Sequence, residues 1–143
     1  MRNTALLLCV AATLGACTSV PAPKPGTVKN APPPAASVHG RAFYLERIAM
    51  PPGASLEVLL IGERGDTAPV TIAMQTFDDL HGPPYDFTLT YAPTHIGADM
   101  RCSLRAALRD AHGHLEFATA AGVPVTPGSA ARVELRLVRS SEP

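Results

Sequence analysis

The chain has 143 residues, of which 46% are hydrophobic and 17% charged, a composition that supports one compact domain with a packed core rather than two. Its twelve basic and twelve acidic residues cancel, so the chain lacks the basic field that binds nucleic acid. A nucleic-acid partner is therefore not expected.

The N-terminus has the layout of a bacterial export signal. A short start that contains Arg2 precedes an apolar stretch, residues 4–13, which is too short to span a bilayer as a helix. Residues 14–17 read Leu-Gly-Ala-Cys and resemble a lipobox, which is cleaved just before its cysteine. The sequence thus predicts a signal peptide over residues 1–16 and a lipid-modified Cys17.

A lipid at Cys17 would anchor the mature protein to a membrane without spanning it. Each buried methylene of an acyl chain contributes roughly 0.8 kcal/mol, so a diacylglycerol thioether with a further palmitate-type chain forms a lasting anchor. Residue 18 is Thr rather than Asp, which by resemblance to lipoproteins of two-membraned bacteria favours the outer membrane. The expected location is the outer membrane, with the domain facing the periplasm.

Residues 17–36 are rich in Pro, Ala and small polar residues and show no apolar periodicity. This composition predicts a disordered, partly polyproline-II tether, which at roughly 3.1 Å per residue reaches up to about 60 Å. Cys9 would leave with the signal peptide and Cys17 would carry lipid, so no internal disulfide is expected. The remaining thiol, Cys102, lies in register with apolar residues and is predicted to be buried.

From Ser37 to residue 140, short period-two segments separated by Gly and Pro indicate an antiparallel all-β domain. We expect a small β-sandwich of immunoglobulin-like or transthyretin-like dimensions, without the Cys…Trp…Cys pattern of true immunoglobulin domains. A type II turn is predicted at Met50–Gly53, a crossing segment packed through Ile96 at 92–99, and a Pro/Gly loop at 122–129. The seven predicted strands are residues 38–47, 56–63, 70–77, 85–91, 100–110, 115–120 and 132–138.

Two groups of polar residues are candidates for chemistry, and neither predicts a catalytic site. His112 and His114 flank Gly113 beside Asp110, but a glycine of a hairpin turn breaks the geometry of a histidine pair, and no third metal ligand follows at a recognisable spacing. We expect a solvated turn there and no metal site.

Asp78, Asp79 and His81 lie in a Gly/Pro-rich loop, where function often resides. Adjacent carboxylates in extended chain point apart, so turn formation is the favoured interpretation and the loop is a tentative interaction site. The sequence contains no nucleophile elbow, no Cys-His motif and no Gly-rich phosphate loop. No catalytic residues, no cofactor and no enzymatic activity are predicted.

Several segments resemble a known family of envelope lipoproteins. Residues 38–58, with the sequence Tyr-Leu-Glu-Arg-Ile-Ala-Met-Pro-Pro-Gly-Ala at 44–54, are similar to the YbaY-like lipoproteins, whose domain is related to YscW, a lipoprotein chaperone of type III secretion. Residues 84–91 and 133–138 fit the same pattern, so the resemblance covers residues 38–139. It implies a pilot that brings a secretin to the outer membrane, or a small lipoprotein without an assigned reaction, and it supplies no catalytic residues.

The sequence therefore predicts a non-enzymatic envelope lipoprotein whose β-domain acts as a protein-interaction or chaperone-like module. Its partners would be the membrane, through Cys17, and an envelope or secretin-like protein. An alternative is a module that binds glycan or a small ligand through residues 78–84 and nearby aromatic side chains.

Overall fold

Strands dominate the part of the chain that the structure, a computed structural model, describes, which is residues 34–140. The predicted signal peptide, the predicted lipidation site Cys17 and residues 17–33 of the predicted tether lie outside these residues. The eight strands are β1 (Ala36–Phe43), β2 (Ser55–Glu63), β3 (Val70–Phe77), β4 (Tyr85–Tyr91), β5 (Arg101–Arg109), β6 (Leu115–Thr119), β7 (Val123–Val125) and β8 (Val133–Arg139).

The predicted all-β fold is confirmed, with one strand more than expected. The additional strand, β7, lies within residues 122–129, which the sequence predicts as a loop, and it pairs with β5 through Cys102 to Leu104. One 3-10 turn, Pro93–His95, interrupts the predicted crossing segment, and Ile96 packs half-buried against the core as expected. Within residues 34–140, no helix has the length and apolar character needed to cross a membrane.

The strands form one sheet in the order β3-β2-β5-β6-β8-β1-β4, with β7 paired to β5, and the sheet curls into a nearly closed, barrel-like form. We call β1, β4 and the first half of β8 one layer, and the remaining strands the other layer. The last strand joins the layers: Val133 to Arg136 pair with β1, and Leu137 to Arg139 pair with β6. The β1–β8 ladder is parallel, unlike the antiparallel pairing that the sequence predicts. The reason is that β8 enters the sheet from the same end as β1.

The core lies between the layers and follows the period-two pattern of the strands. In β4, the side chains of Tyr85, Phe87, Leu89 and Tyr91 are at most 4% exposed, whereas the intervening residues are exposed, as the alternation predicts. The largest side chains below 2% exposure are those of Phe117, Leu56, Leu60, Leu89, Leu104, Leu108, Leu135, Leu137 and Val58.

The first strand ends earlier than the sequence predicts, at Phe43 rather than Arg47. Tyr44 is buried, as a strand residue would be, but its ring stacks on Phe117 with a centroid distance of 4.5 Å. Its hydroxyl donates a hydrogen bond to the carbonyl oxygen of Ile48 at 2.8 Å, which turns the following residues out of the sheet. The predicted type II turn forms one residue later than expected, over residues 51–54, with Gly53 at φ +86°.

At Gly40, β1 packs too tightly against its neighbours to leave room for a side chain. A Cβ at this position would overlap the Phe87 ring and the carbonyl oxygen of Val133. We expect Gly40→Ala to lower the free energy of unfolding by about 1–3 kcal/mol, because both the ring and the backbone would have to shift. Chemical denaturation would measure this, with the exposed β4 substitution Thr90→Ala as a control that changes stability by less than about 0.5 kcal/mol. Equal stability of the two variants would contradict the tight contact.

Candidate functional site

Two loops at the same end of the domain form the main groove of the described chain. The first loop, residues 44–54, connects β1 to β2, and the second, residues 78–84, connects β3 to β4. The pairing of Ala42 with Tyr85 and of Leu56 with Phe77 brings the four strand ends together. We call the depression between residues 48–54 and residues 78–83 the loop groove.

The loop groove consists of two adjoining cavities whose walls combine polar and apolar groups. One cavity, of about 610 Å³, lies between residues 50–54 and residues 78–81. The other, of about 380 Å³, lies between residues 48–50 and residues 80–83 and is also lined by Tyr85. Met50, Leu80 and His81 contribute to both cavities, so these residues form the shared centre of the groove.

The apolar side chains of the groove differ in their exposure. Met50 and Leu80 are half-buried and pack against the core, so the floor of the groove is continuous with the domain interior. Ile48 is 41% exposed on the rim, and the neighbouring Leu45 is 63% exposed. Exposed apolar side chains beside a groove are typical of a surface that a partner covers.

The tentative interaction residues Asp78, Asp79 and His81 all lie on the second loop, where they line the larger cavity. Asp79 has φ +57°, and the Nδ1 atom of His81 donates a hydrogen bond to the Asp79 carbonyl oxygen at 2.5 Å. This arrangement is a turn in which the histidine holds the backbone. Neither carboxylate forms an ion pair with another residue between 34 and 140, so both remain available on the rim.

Tyr85 lies at the edge of the groove, where β4 begins, and is 4% exposed. Burial, with a contribution from the neighbouring Tyr44 phenol, raises the pKa of Tyr85 above its usual value of 10. The hydroxyl therefore stays protonated throughout the physiological range. It does not supply a phenolate for chemistry.

The aromatic side chains considered for sugar stacking are turned away from solvent. Tyr44, Tyr85, Phe87 and Tyr91 are each at most 5% exposed, and the Tyr91 hydroxyl accepts a hydrogen bond from the Gly128 N–H at 2.9 Å. Phe43 is half-buried. These rings build the core and present no flat aromatic face in the loop groove.

The histidines near Asp110 belong to a turn between β5 and β6. The Asp110 carboxylate accepts hydrogen bonds from the N–H groups of His112 and His114, each at 2.8 Å, and from the His114 ring at 3.2 Å. The residues from 34 to 140 contain no group of three or more His, Cys, Asp or Glu side chains that could hold a metal ion. Asp110 thus stabilises the turn.

Cys102 is buried at 6% exposure, and this burial raises the pKa of its thiol.

The apolar side of the groove is what the sequence interpretation missed. The sequence pattern placed residues 44–47 in a strand and identified Met50 only as the start of a turn. The adjacent charges of Glu46 and Arg47 were the available signal, because they break the period-two alternation before the Pro-Pro-Gly turn.

Comparison with known proteins agrees with the fold and the predicted relationship. The family model described as "Type III secretion system lipoprotein chaperone (YscW)" matches residues 33–137, which confirms the resemblance. A solved structure, described as an alternative pilotin from the type II secretion system of Vibrio cholerae, is 29% identical over 76% of this chain and all of its own, with a TM-score of 0.68. No curated protein matches the chain significantly.

The hydrogen bonds to Asp110 predict a pH-dependent contribution to stability. Desolvation alone would raise the pKa of Asp110, but the N–H groups of His114 and His112 and the His114 ring together hold it below its usual value of 3.8. A lowered pKa in the folded state stabilises the fold fully above pH 3.8, and this contribution is lost as the pH falls through the folded-state pKa. Asp110→Ala should therefore lower the thermal midpoint at pH 6, and the difference from the parent should shrink below pH 4.

Thermal unfolding between pH 2 and pH 7 measures this difference, with the exposed Asp99→Ala as the matched carboxyl control. If the Asp110→Ala difference were the same at pH 2.5 as at pH 6, the ionised carboxylate would not be what stabilises the turn.

Proposed function

We propose that this chain, which belongs to the family of type III secretion system lipoprotein chaperones (YscW), is a lipid-anchored pilot that binds a secretin-like subunit in its loop groove and delivers it to the outer membrane. The observation that carries the proposal is the groove itself: an apolar floor formed by Met50 and Leu80, with the exposed Ile48 on its rim. The described pilotin of Vibrio cholerae supports the same role, since this chain covers all of it.

The groove suits a peptide segment better than a soluble small molecule. Its two cavities lie side by side over the shared residues Met50, Leu80 and His81, so the binding surface is elongated and open along its length. Apolar side chains of a partner segment can enter each cavity, while the Asp78 and Asp79 carboxylates on the rim stay in water. Binding would draw most of its free energy from burying apolar surface and from a few central anchor residues.

The groups that line the groove support a non-enzymatic role. Its titratable side chains are the two carboxylates and one histidine of the second loop and the buried phenol of Tyr85, and the histidine donates a hydrogen bond to the Asp79 carbonyl oxygen. A nucleophile activated by a base would have to stand beside them, and the other lining residues are apolar, Gly or Pro apart from Tyr85. The alternative of a glycan site lacks an exposed aromatic face in this groove.

Placing a charge on the rim should weaken partner binding without unfolding the domain. Ile48→Asp puts a carboxylate where an apolar contact forms, and we expect the affinity for the secretin of the same bacterium to fall by about 2 kcal/mol, roughly thirtyfold. Co-purification from solubilised envelope measures the effect. Val138→Asp is the matched control, because Val138 is 38% exposed on β8, outside the groove, compared with 41% for Ile48.

Equal recovery of the secretin with the Ile48→Asp and Val138→Asp variants would exclude the loop groove as its binding site. Failure of the parent protein to recover any secretin, together with a glycan that raises its thermal midpoint, would favour the alternative of a glycan module.

The anchor can be tested separately from binding. Cys17→Ser removes the thiol that would carry the lipid, and we expect the protein to move from the membrane fraction to the periplasmic fraction while keeping its affinity for the secretin. Cell fractionation with a second assay of binding in solution checks both parts, with Cys102→Ser as the control for loss of a thiol that is buried in the domain. A Cys17→Ser variant that stayed in the membrane fraction would refute lipid anchoring at this residue.

A further inference from the structure

Two arginines on the outer face of β5 have no acidic partner. Arg101 and Arg105 are both exposed, in alternation with buried residues of the same strand. Neither forms an ion pair with any residue between 34 and 140, whereas the arginines at positions 41, 132 and 139 each pair with a carboxylate. An unpaired guanidinium keeps all five of its N–H donors for a ligand.

The two arginines line the same cavity. This cavity, of about 220 Å³, is also lined by Ser103, which lies between them on β5. Residues two apart on a strand point to the same side of the sheet, so Arg101, Ser103 and Arg105 share one face. The Ser103 hydroxyl has no hydrogen-bond partner in the part of the chain that the structure describes. The cavity therefore combines two cationic groups with a free hydroxyl donor.

Gly122, which immediately precedes β7, keeps the cavity open. A Cβ at this position would lie 2.7 Å from the Ser103 Oγ atom and 3.6 Å from the Arg105 Nε atom, so both donors converge on the space beside the glycine. Any side chain at position 122 would fill that space. The backbone of Gly122 is not in the left-handed region, so its conformation alone does not call for glycine.

We propose that Arg101, Ser103 and Arg105 form a binding site for a phosphate group, either in a soluble phosphate ester or in a lipid headgroup. A phosphate monoester has three terminal oxygens, which can accept hydrogen bonds from both guanidinium groups and from the hydroxyl. At roughly 30 Å³ per water molecule, the cavity takes one phosphate group and a few waters. The site is separate from the loop groove, because none of its residues lines the groove cavities.

Glu63 limits the charge that the cavity can neutralise. It is the β2 partner of Arg101 and lines the same cavity, but it forms no ion pair within the described residues. Two arginines and one carboxylate leave a net charge of +1, which suits a single phosphate group and not a polyanion such as nucleic acid. A carboxylate ligand has only two oxygens and would leave one of the three donor groups unpaired.

Amide NMR shifts of the full chain carrying Cys17→Ser, titrated with inorganic phosphate at low salt, test the site. We expect the signals of residues 101–105 and 122 to shift with a dissociation constant of about 1 mM. Arg101→Gln and Arg105→Gln should each weaken binding by roughly tenfold. The matched control is Arg136→Gln, which changes an exposed, unpaired arginine of β8 outside the cavity and should leave binding unchanged.

Two further variants separate the cavity from general surface charge. Gly122→Ala fills the space beside Ser103 without altering charge and should weaken binding by roughly tenfold. Glu63→Gln removes a repelling carboxylate and should strengthen binding by roughly threefold. Thermal midpoints of all variants verify that each domain is folded.

The source of the phosphate group is distinguished by two ligands. Glycerol 3-phosphate carries the group without acyl chains, and dihexanoyl phosphatidic acid below its micelle concentration carries it on a lipid. Tighter binding of the lipid by about tenfold, lost in Arg105→Gln, would support the site and identify a headgroup as its ligand. Equal binding of both would support the site and identify a soluble ester.

Four results would overturn the assignment. These are absence of shifts at residues 101–105 at high millimolar phosphate, equal affinity for acetate and phosphate, an equal loss of binding in Arg136→Gln, and full binding by a folded Gly122→Ala variant. None of these measurements involves a secretin, so the site can fail or hold independently of the proposed function.

Discussion

The last strand, β8, holds the two layers of the domain together because it hydrogen bonds with both of them. Its first half runs parallel to β1 and its second half antiparallel to β6. Without it, β1 and β4 would share no ladder with the other five strands in the described chain. Leu135 and Leu137 of the same strand are at most 1% exposed and fill the space between the layers. One strand therefore supplies the connection between the layers and part of the core that they enclose.

The loop groove follows from this layering. Facing layers bring the ends of β1 and β4 close to the ends of β2 and β3, and the two connecting loops must lie side by side. Tyr44 then determines the shape of the first loop, since its ring is fixed on Phe117 and its hydroxyl holds the Ile48 carbonyl oxygen. Ile48 is thereby kept on the rim, with its apolar surface partly exposed to water. The core and the groove thus share the same aromatic residue.

The local alternation of apolar and polar residues predicted most strand positions well, but it did not predict which strands pair in parallel. β4 begins and ends where the alternation indicates, because it has one wet face that makes the period visible. β3 also has the predicted bounds, although the exposure of its residues does not alternate. β7 escaped prediction because three residues with a central proline carry no period, and the first strand was extended too far because buried Tyr44 continues its alternation. The parallel β1–β8 ladder joins residues about 93 positions apart, and no local signal encodes such a contact. For the groove, the polar residues Asp78, Asp79 and His81 were visible in the sequence. Ile48 and Met50 became significant only when folding placed the first loop beside the second.

The position of β1 has a mechanical consequence. The chain enters the domain at Ala36, at one end of this strand, and the first groove loop leaves from Phe43 at the other, about 25 Å away at the usual rise per residue. A force that pulls a bound segment against a tethered N-terminus would therefore act along the strand axis. Seven residue pairs with β4 and four with β8 flank β1, and their hydrogen bonds run across that axis, so they would be loaded together in shear. Such a ladder yields only when many bonds fail at once, which would let the domain carry cargo under tension without unravelling.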